Sequence, residues 1–212
     1  WVYVDAVHAA PHVPIDARAV GADFVACSVY KFFGPHIGVM AGAPGLLEQL
    51  HPDKLLPSTE VVPERFELGT RPYELLAGIV AAVDFIADLA PGDGSRRQRI
   101  VRSMAAAEDY EDGLSHRLRE GLRAIDGVTV YSNARSKTPT ELFRISGVDG
   151  ADAYQYFAER NINAPASNFY AIECSRHLGL GDEGGIRAGL APYNTADEID
   201  RLLSAVAELA GR

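Results

Sequence analysis

The sequence has almost no cysteine: Cys27 and Cys174 are the two among 212 residues, and neither belongs to a CxxC pair. Two distant thiols make neither a disulfide framework nor a cysteine-based zinc site, so a reduced, cytoplasmic setting is expected. Positive charge is also short, with 20 Lys and Arg against 29 Asp and Glu, a formal net charge of −9. That balance excludes nonspecific nucleic-acid binding, which needs cations to neutralise phosphates. A long uncharged apolar run is missing too. The longest apolar stretch, Tyr73 to Ala90, carries Glu74, Asp84 and Asp88. It reads as a buried helix of a globular domain, and no membrane association is expected. No internal repeat, low-complexity tract or signal peptide is visible in the sequence. The chain opens on Trp1 inside an apparent strand, so a fragment is expected.

What is present is an ordinary globular composition, 47% hydrophobic and 23% charged, with enough length for real cores. Val2–Val4, ending at Asp5, reads as a short buried strand. Asp23–Ser28 and Ile37–Ala41 read as two more, in a sheet buried on both faces. A helix follows to Leu50, and then a proline-rich loop, Pro52 to Pro63, long enough to suggest function or docking. The PGDGS turn, Pro91–Ser95, is the strongest punctuation and predicts a boundary between a unit over 1–92 and a smaller α+β unit over 93–212. Beyond it Ile100, Met104, Ala107, Glu111, Leu114, Leu118 and Leu122 keep helical spacing. Strands at Val128–Tyr131, Thr140–Ile145 and Ile186–Leu190, with a helix at Ala151–Arg160, complete the second unit. Thr195 and Glu198 form a capping box opening a last helix with the stripe Ile199, Leu202, Leu203, Val206 and Leu209.

The chemistry concentrates around Lys31. It stands just past an apolar strand, preceded by Ser28 and Tyr30 and followed by Phe32, Phe33 and Gly34. Lysine in apolar company is paired, functional, or a surface residue that snorkels. Desolvation there would favour the neutral amine that Schiff-base chemistry needs. Asp5, His8 and His12, with His36, offer a competing reading as ligands of a metal-dependent hydrolase, although Pro11 and Pro14 disfavour the regular helix on which His8 and His12 would chelate.

The pattern "VDAVH…ADF…SVYKFFGP", continued by "FELGTR" and "IRAGLAPYNTADEIDRLL", resembles class V of the fold-type I pyridoxal-phosphate enzymes, the aminotransferase and cysteine-desulfurase-like group. The likeness covers essentially the whole chain. It implies an α/β fold: the end of a large, mainly parallel-sheet domain followed by a smaller α+β carboxy-terminal domain. It also implies pyridoxal 5′-phosphate as cofactor, a small amino acid as substrate and a homodimer. Lys31 matches the Schiff-base lysine that also moves the substrate α-proton, and Asp5 the carboxylate under the pyridine nitrogen. His8 matches the residue beside the phenolic oxygen, and Ser28 and Tyr30 the phosphate contacts. Thr70 matches the residue reaching the phosphate of the neighbouring subunit, and Arg187 the clamp on the substrate α-carboxylate.

The resemblance departs in two places. Tyr170, within "APASNFYAIE", falls at or close to the position of the desulfurase persulfide cysteine, and Cys174 reads as structural. The upstream half that carries the phosphate loop and the ring-stacking residue does not precede Trp1. The expected function is transamination or C–S or β-lyase chemistry without a persulfide cysteine. A non-catalytic dimerisation or scaffold fragment is the alternative.

Overall fold

The computed structural model describes residues 1–131 and 134–212. It forms two compact units, Trp1–Ala106 and Ala107–Arg212, and the division falls inside one long helix.

The first unit holds a three-stranded sheet in the order β1 (Tyr3–Asp5), β2 (Phe24–Ser28), β3 (Gly38–Gly42). β1 and β2 run parallel with Asp5 opposite Ala26, and β3 returns antiparallel with Gly38 opposite Ser28. Helices α1 (Pro44–Gln49) and α2 (Tyr73–Ala87) follow, and then the start of α3 (Arg96–Arg123). Val29, Phe32, Ile86 and Met104 make the local core.

Two expectations are corrected in this unit. β1 and β3 are mostly exposed rather than covered on both faces. α2 buries only Ala82, Ile86 and Ala87, while Tyr73, Leu76, Val80 and Phe85 face outward. An apolar run states that a segment favours burial; it does not state which element covers it, and no covering element comes from within this unit.

The proline-rich loop is held from inside. Arg65, 7% exposed, donates from Nε to the Glu60 carbonyl at 2.8 Å, and from Nη1 to the carbonyls of Glu48 and Leu50 at 3.1 and 3.0 Å. It thereby satisfies carbonyls at the end of α1 that the helix itself leaves open. Lys54 adds a bond to the Ser58 carbonyl at 2.9 Å and an ion pair with Glu60 at 2.6 Å. Arg65→Met is expected to destabilise the unit by about 1 to 2 kcal/mol, because partly buried carbonyls lose the hydrogen bonds of a charged donor. A lower urea midpoint and faster proteolytic cleavage between Pro52 and Pro63 would show it; an unchanged midpoint would refute it.

The second unit is α+β. Its sheet runs β4 (Val128–Val130), β5 (Thr140–Ile145), β7 (Gly185–Gly189), β6 (Ala166–Ser167), with every neighbouring pair antiparallel. α4 (Gly150–Ala158) and α6 (Ala196–Ala210) pack on it with the end of α3, and the short α5 (Ile172–His177) links β6 to β7. Leu114, Leu118 and Leu122 of α3 meet Phe143, Phe157, Ile186, Ile199 and Val206 in one core. The predicted periodicity of α3 and the capping box of α6 are both present. Glu111, at an inward position of the α3 stripe, is 1% exposed.

Candidate functional site

β2 ends at Ser28 and passes directly into a 3-10 turn, Val29–Phe32. Three residues per turn place Val29 and Phe32 on one face, and both are buried. Tyr30 and Lys31, between them, are turned outward. The turn is closed by Phe33, whose backbone is left-handed at φ 68°, and by Gly34. A Cβ on Gly34 would lie 2.2 Å from Cγ1 of Val29, so glycine is required for this close approach. Lys31 therefore sits on a rigid support and is exposed in this chain. The apolar residues beside it are spent anchoring the turn.

Asp5 ends β1, the parallel neighbour of β2, and its Oδ1 accepts the Val7 N–H at 2.9 Å. Asp5, Ser28 and Lys31 thus share the carboxy-terminal edge of two adjacent parallel strands, the edge at which open α/β sheets place ligands. The Ser28 hydroxyl does not cap the turn that it heads, which leaves it available to a ligand. The Tyr30 ring stacks on His36 at 5.1 Å between centroids, a partner that the sequence offered only as a metal ligand.

His8 and His12 lie on a series of turns after β1, with rings 5.5 Å apart and edge to face; His8 is exposed and His12 buried. Among the described residues no three His, Cys, Asp or Glu side chains could hold a metal ion, so the Asp5–His8–His12 hydrolase reading gains no support. Thr70 follows Gly69 (φ 76°) on an exposed loop and lines a groove of about 530 Å³ with Met40, Phe66, Leu68 and Leu76.

In the second unit Arg187 lies mid-β7, opposite Leu142 of β5, and its N–H donates to the Pro165 carbonyl at 2.9 Å. Its guanidinium carbon sits 3.9 Å over the Phe169 ring. Burial pulls its pKa below the ordinary arginine value, and among the described residues no carboxylate is ion-paired with it. The internal salt bridge that competed with a ligand-binding role is not found among the described residues. Phe169 is the residue that sequence reasoning missed; nothing in its spacing marks it, because the contact depends on how the loop after β6 folds. Tyr170 is fully exposed, and Cys174, read as structural, is exposed on α5. Among the described residues no helix is long and apolar enough to cross a membrane.

Around the carboxy-terminal strand edge the chain offers one amine, one carboxylate, the hydroxyls of Ser28 and Tyr30, and an imidazole, with Thr70 on a separate loop. That chemistry fits a phosphorylated pyridine aldehyde: the amine for the carbonyl, the carboxylate for a ring cation, the hydroxyls for phosphate.

Comparison with known proteins bears on the family and the fold. The chain is 31% identical over 218 residues to the cysteine desulfurase CsdA of Escherichia coli, covering 97% of this chain and 50% of that protein. It is 29% identical over 216 residues to the aminotransferase-like protein FGM3 of Gibberella zeae, covering 96% of this chain and 50% of that protein. The crystal structure of Escherichia coli CsdA superposes with a TM-score of 0.81 at 29% identity, over 98% of this chain and 51% of that one. An apo cysteine desulfurase from Thermococcus onnurineus superposes at 0.84 with 24% identity, over 99% of this chain and 52% of that one, which speaks to the fold. The chain spans about half the length of the curated relatives it matches. Its α/β architecture is that of part of a fold-type I enzyme. The aminotransferase class-V model matches residues 1–202, and the chain belongs to that family.

Proposed function

We propose that this chain is the carboxy-terminal part of a pyridoxal-phosphate enzyme that acts on a small amino acid by transamination or by C–S or β-lyase chemistry. The observation that carries this reading is the placement of Asp5 and Lys31 at the carboxy ends of adjacent parallel strands. Lys31, Asp5, His8, Ser28 and Tyr30 would hold the cofactor, with Thr70 reaching the phosphate of a second subunit in a homodimer. When bound, the cofactor supplies an electron-withdrawing ring that weakens the bonds at the amino acid's α-carbon.

The protein's own part is acid–base and positional. Asp5 holds a negative charge where a protonated ring nitrogen is stabilised. Lys31 Nζ takes and returns the α-proton. Ser28 and Tyr30 donate to phosphate oxygens without adding positive charge, so neutralisation comes from elsewhere in the full protein. Arg187 binds the substrate carboxylate as a planar fork. With Tyr170 at or close to the expected cysteine position, transfer of sulfur through a persulfide is not part of the proposal.

A dimerisation or scaffold role is the second reading, favoured by the outward Leu56, Leu68, Val80 and Phe85. One measurement separates the two. The full-length gene product is given pyridoxal phosphate, reduced with borohydride and digested. A cofactor fixed covalently to the peptide containing Lys31 supports the enzyme; a protein that takes up no cofactor sinks it.

A further inference from the structure

The loop after β6 is unusual in its backbone. Phe169 and Tyr170 are consecutive non-glycine residues in the left-handed region, at φ 53° and 65°. Bulky side chains resist that conformation, and it persists only where the surroundings over-determine it. They do so here. Asn168 accepts the Tyr170 N–H at 3.0 Å and donates from Nδ2 to the Asp182 carbonyl at 2.8 Å. Ser167 Oγ accepts the Phe169 N–H at 3.2 Å. Gly184 (φ 77°) lies so close that a Cβ there would be 2.0 Å from the Ser167 carbonyl oxygen.

The strained turn folds the Phe169 ring back onto Arg187, with the guanidinium carbon 3.9 Å from the ring centroid. A ring face attracts the cation through its quadrupole and, unlike a carboxylate, leaves its charge unneutralised. It also offers no acceptor that competes for the guanidinium N–H groups. An arginine ordered in advance loses less conformational freedom when a ligand binds.

We propose that Phe169 is a positioning residue that fixes Arg187 for a planar carboxylate while leaving the guanidinium charge available. This rests on the reading of Arg187 as the carboxylate-binding residue. The loop conformation is the device that delivers the ring, and selectivity for substrates bearing a free carboxylate follows from it.

The test uses the full-length gene product with bound cofactor, and L-alanine and L-cysteine as probes, followed by calorimetric binding and by steady-state kinetics. Phe169→Leu is expected to weaken binding and raise KM about tenfold, the scale of a partly desolvated cation–π contact, with kcat nearly unchanged. Phe169→Tyr keeps the ring and is expected to bind as the parent does. Should Phe169→Leu fail to fold, Phe169→Met takes its place beside Phe169→Tyr. If Arg187→Gln binds both probes normally, the carboxylate reading fails. If Arg187→Gln loses binding while Phe169→Leu or Phe169→Met keeps it, or if Phe169→Tyr is weakened as much as they are, the role of Phe169 alone fails.

Discussion

Replacing Lys31 by alanine in the full-length gene product is expected to lower turnover of a small amino acid by at least about a thousandfold, the scale of losing a positioned general base. The effect should be large because one side chain is asked to do two jobs, anchoring the cofactor and moving the α-proton. The supporting turn is expected to survive the change. Val29 and Phe32 carry its buried face, and Lys31 is exposed, so folding should be unaffected. The outcome is therefore specific: lost turnover, no covalent cofactor after borohydride reduction, and an unchanged urea midpoint. Lys31→Arg, which keeps a positive charge but cannot act as a neutral amine, should be as inactive as alanine. Substantial turnover in either variant would overturn the assignment.

The largest expected loss of stability lies in the second unit, at Glu141. Its carboxylate is fully buried beside Arg119 Nε at 3.0 Å and Lys137 Nζ at 2.6 Å, with the Ser115 hydroxyl at 3.3 Å. Glu141→Leu leaves two poorly solvated cations facing an apolar side chain, and a loss of about 3 kcal/mol is expected. The same physics makes a second outcome informative. Combining Glu141→Leu with Arg119→Met and Lys137→Met should recover most of that loss, because an apolar cluster of similar volume needs no desolvation of charge. Urea midpoints compared at equal slope decide both, and a single variant as stable as the parent would refute the first.

Lys137 adds a pH signature. Burial lowers its pKa below the ordinary lysine value, against the opposing hydrogen bond to Glu141. The unfolded chain then holds that proton more tightly than the folded one. Its cost to stability is fully present below the folded pKa, and it fades as pH rises towards the unfolded value. Lys137→Met should remove that alkaline gain from the stability profile.

How much of this was legible beforehand depends on the range of the interaction. α3 could be read because seven inward residues recur at helical spacing, and α6 because Thr195 and Glu198 cap it within four residues of chain. The strand ends at Asp5 and Ser28 were visible because short apolar runs stop there. Whether Lys31 is enclosed or exposed was left open by the sequence. Phe32 and Phe33 look like walls around an amine in one dimension, whereas in the fold Phe32 points into the core and Phe33 packs edge-on against Phe85 of α2. The outward stripe of α2 was missed for a related reason, since apolar content fixes a tendency and not a neighbour.

By itself, then, the sequence determined most of the helices and strands, which rest on contacts between residues close in the chain, while the α/β class and the reading of the motif around Lys31 came from the resemblance to a family. Only the tertiary structure decided that Asp5 and Lys31 share one edge of a parallel pair, that Arg187 lacks an ion-pair partner among the described residues, and that Phe169 covers it. Each of those depends on strand register or on a strained turn, which local propensity does not encode.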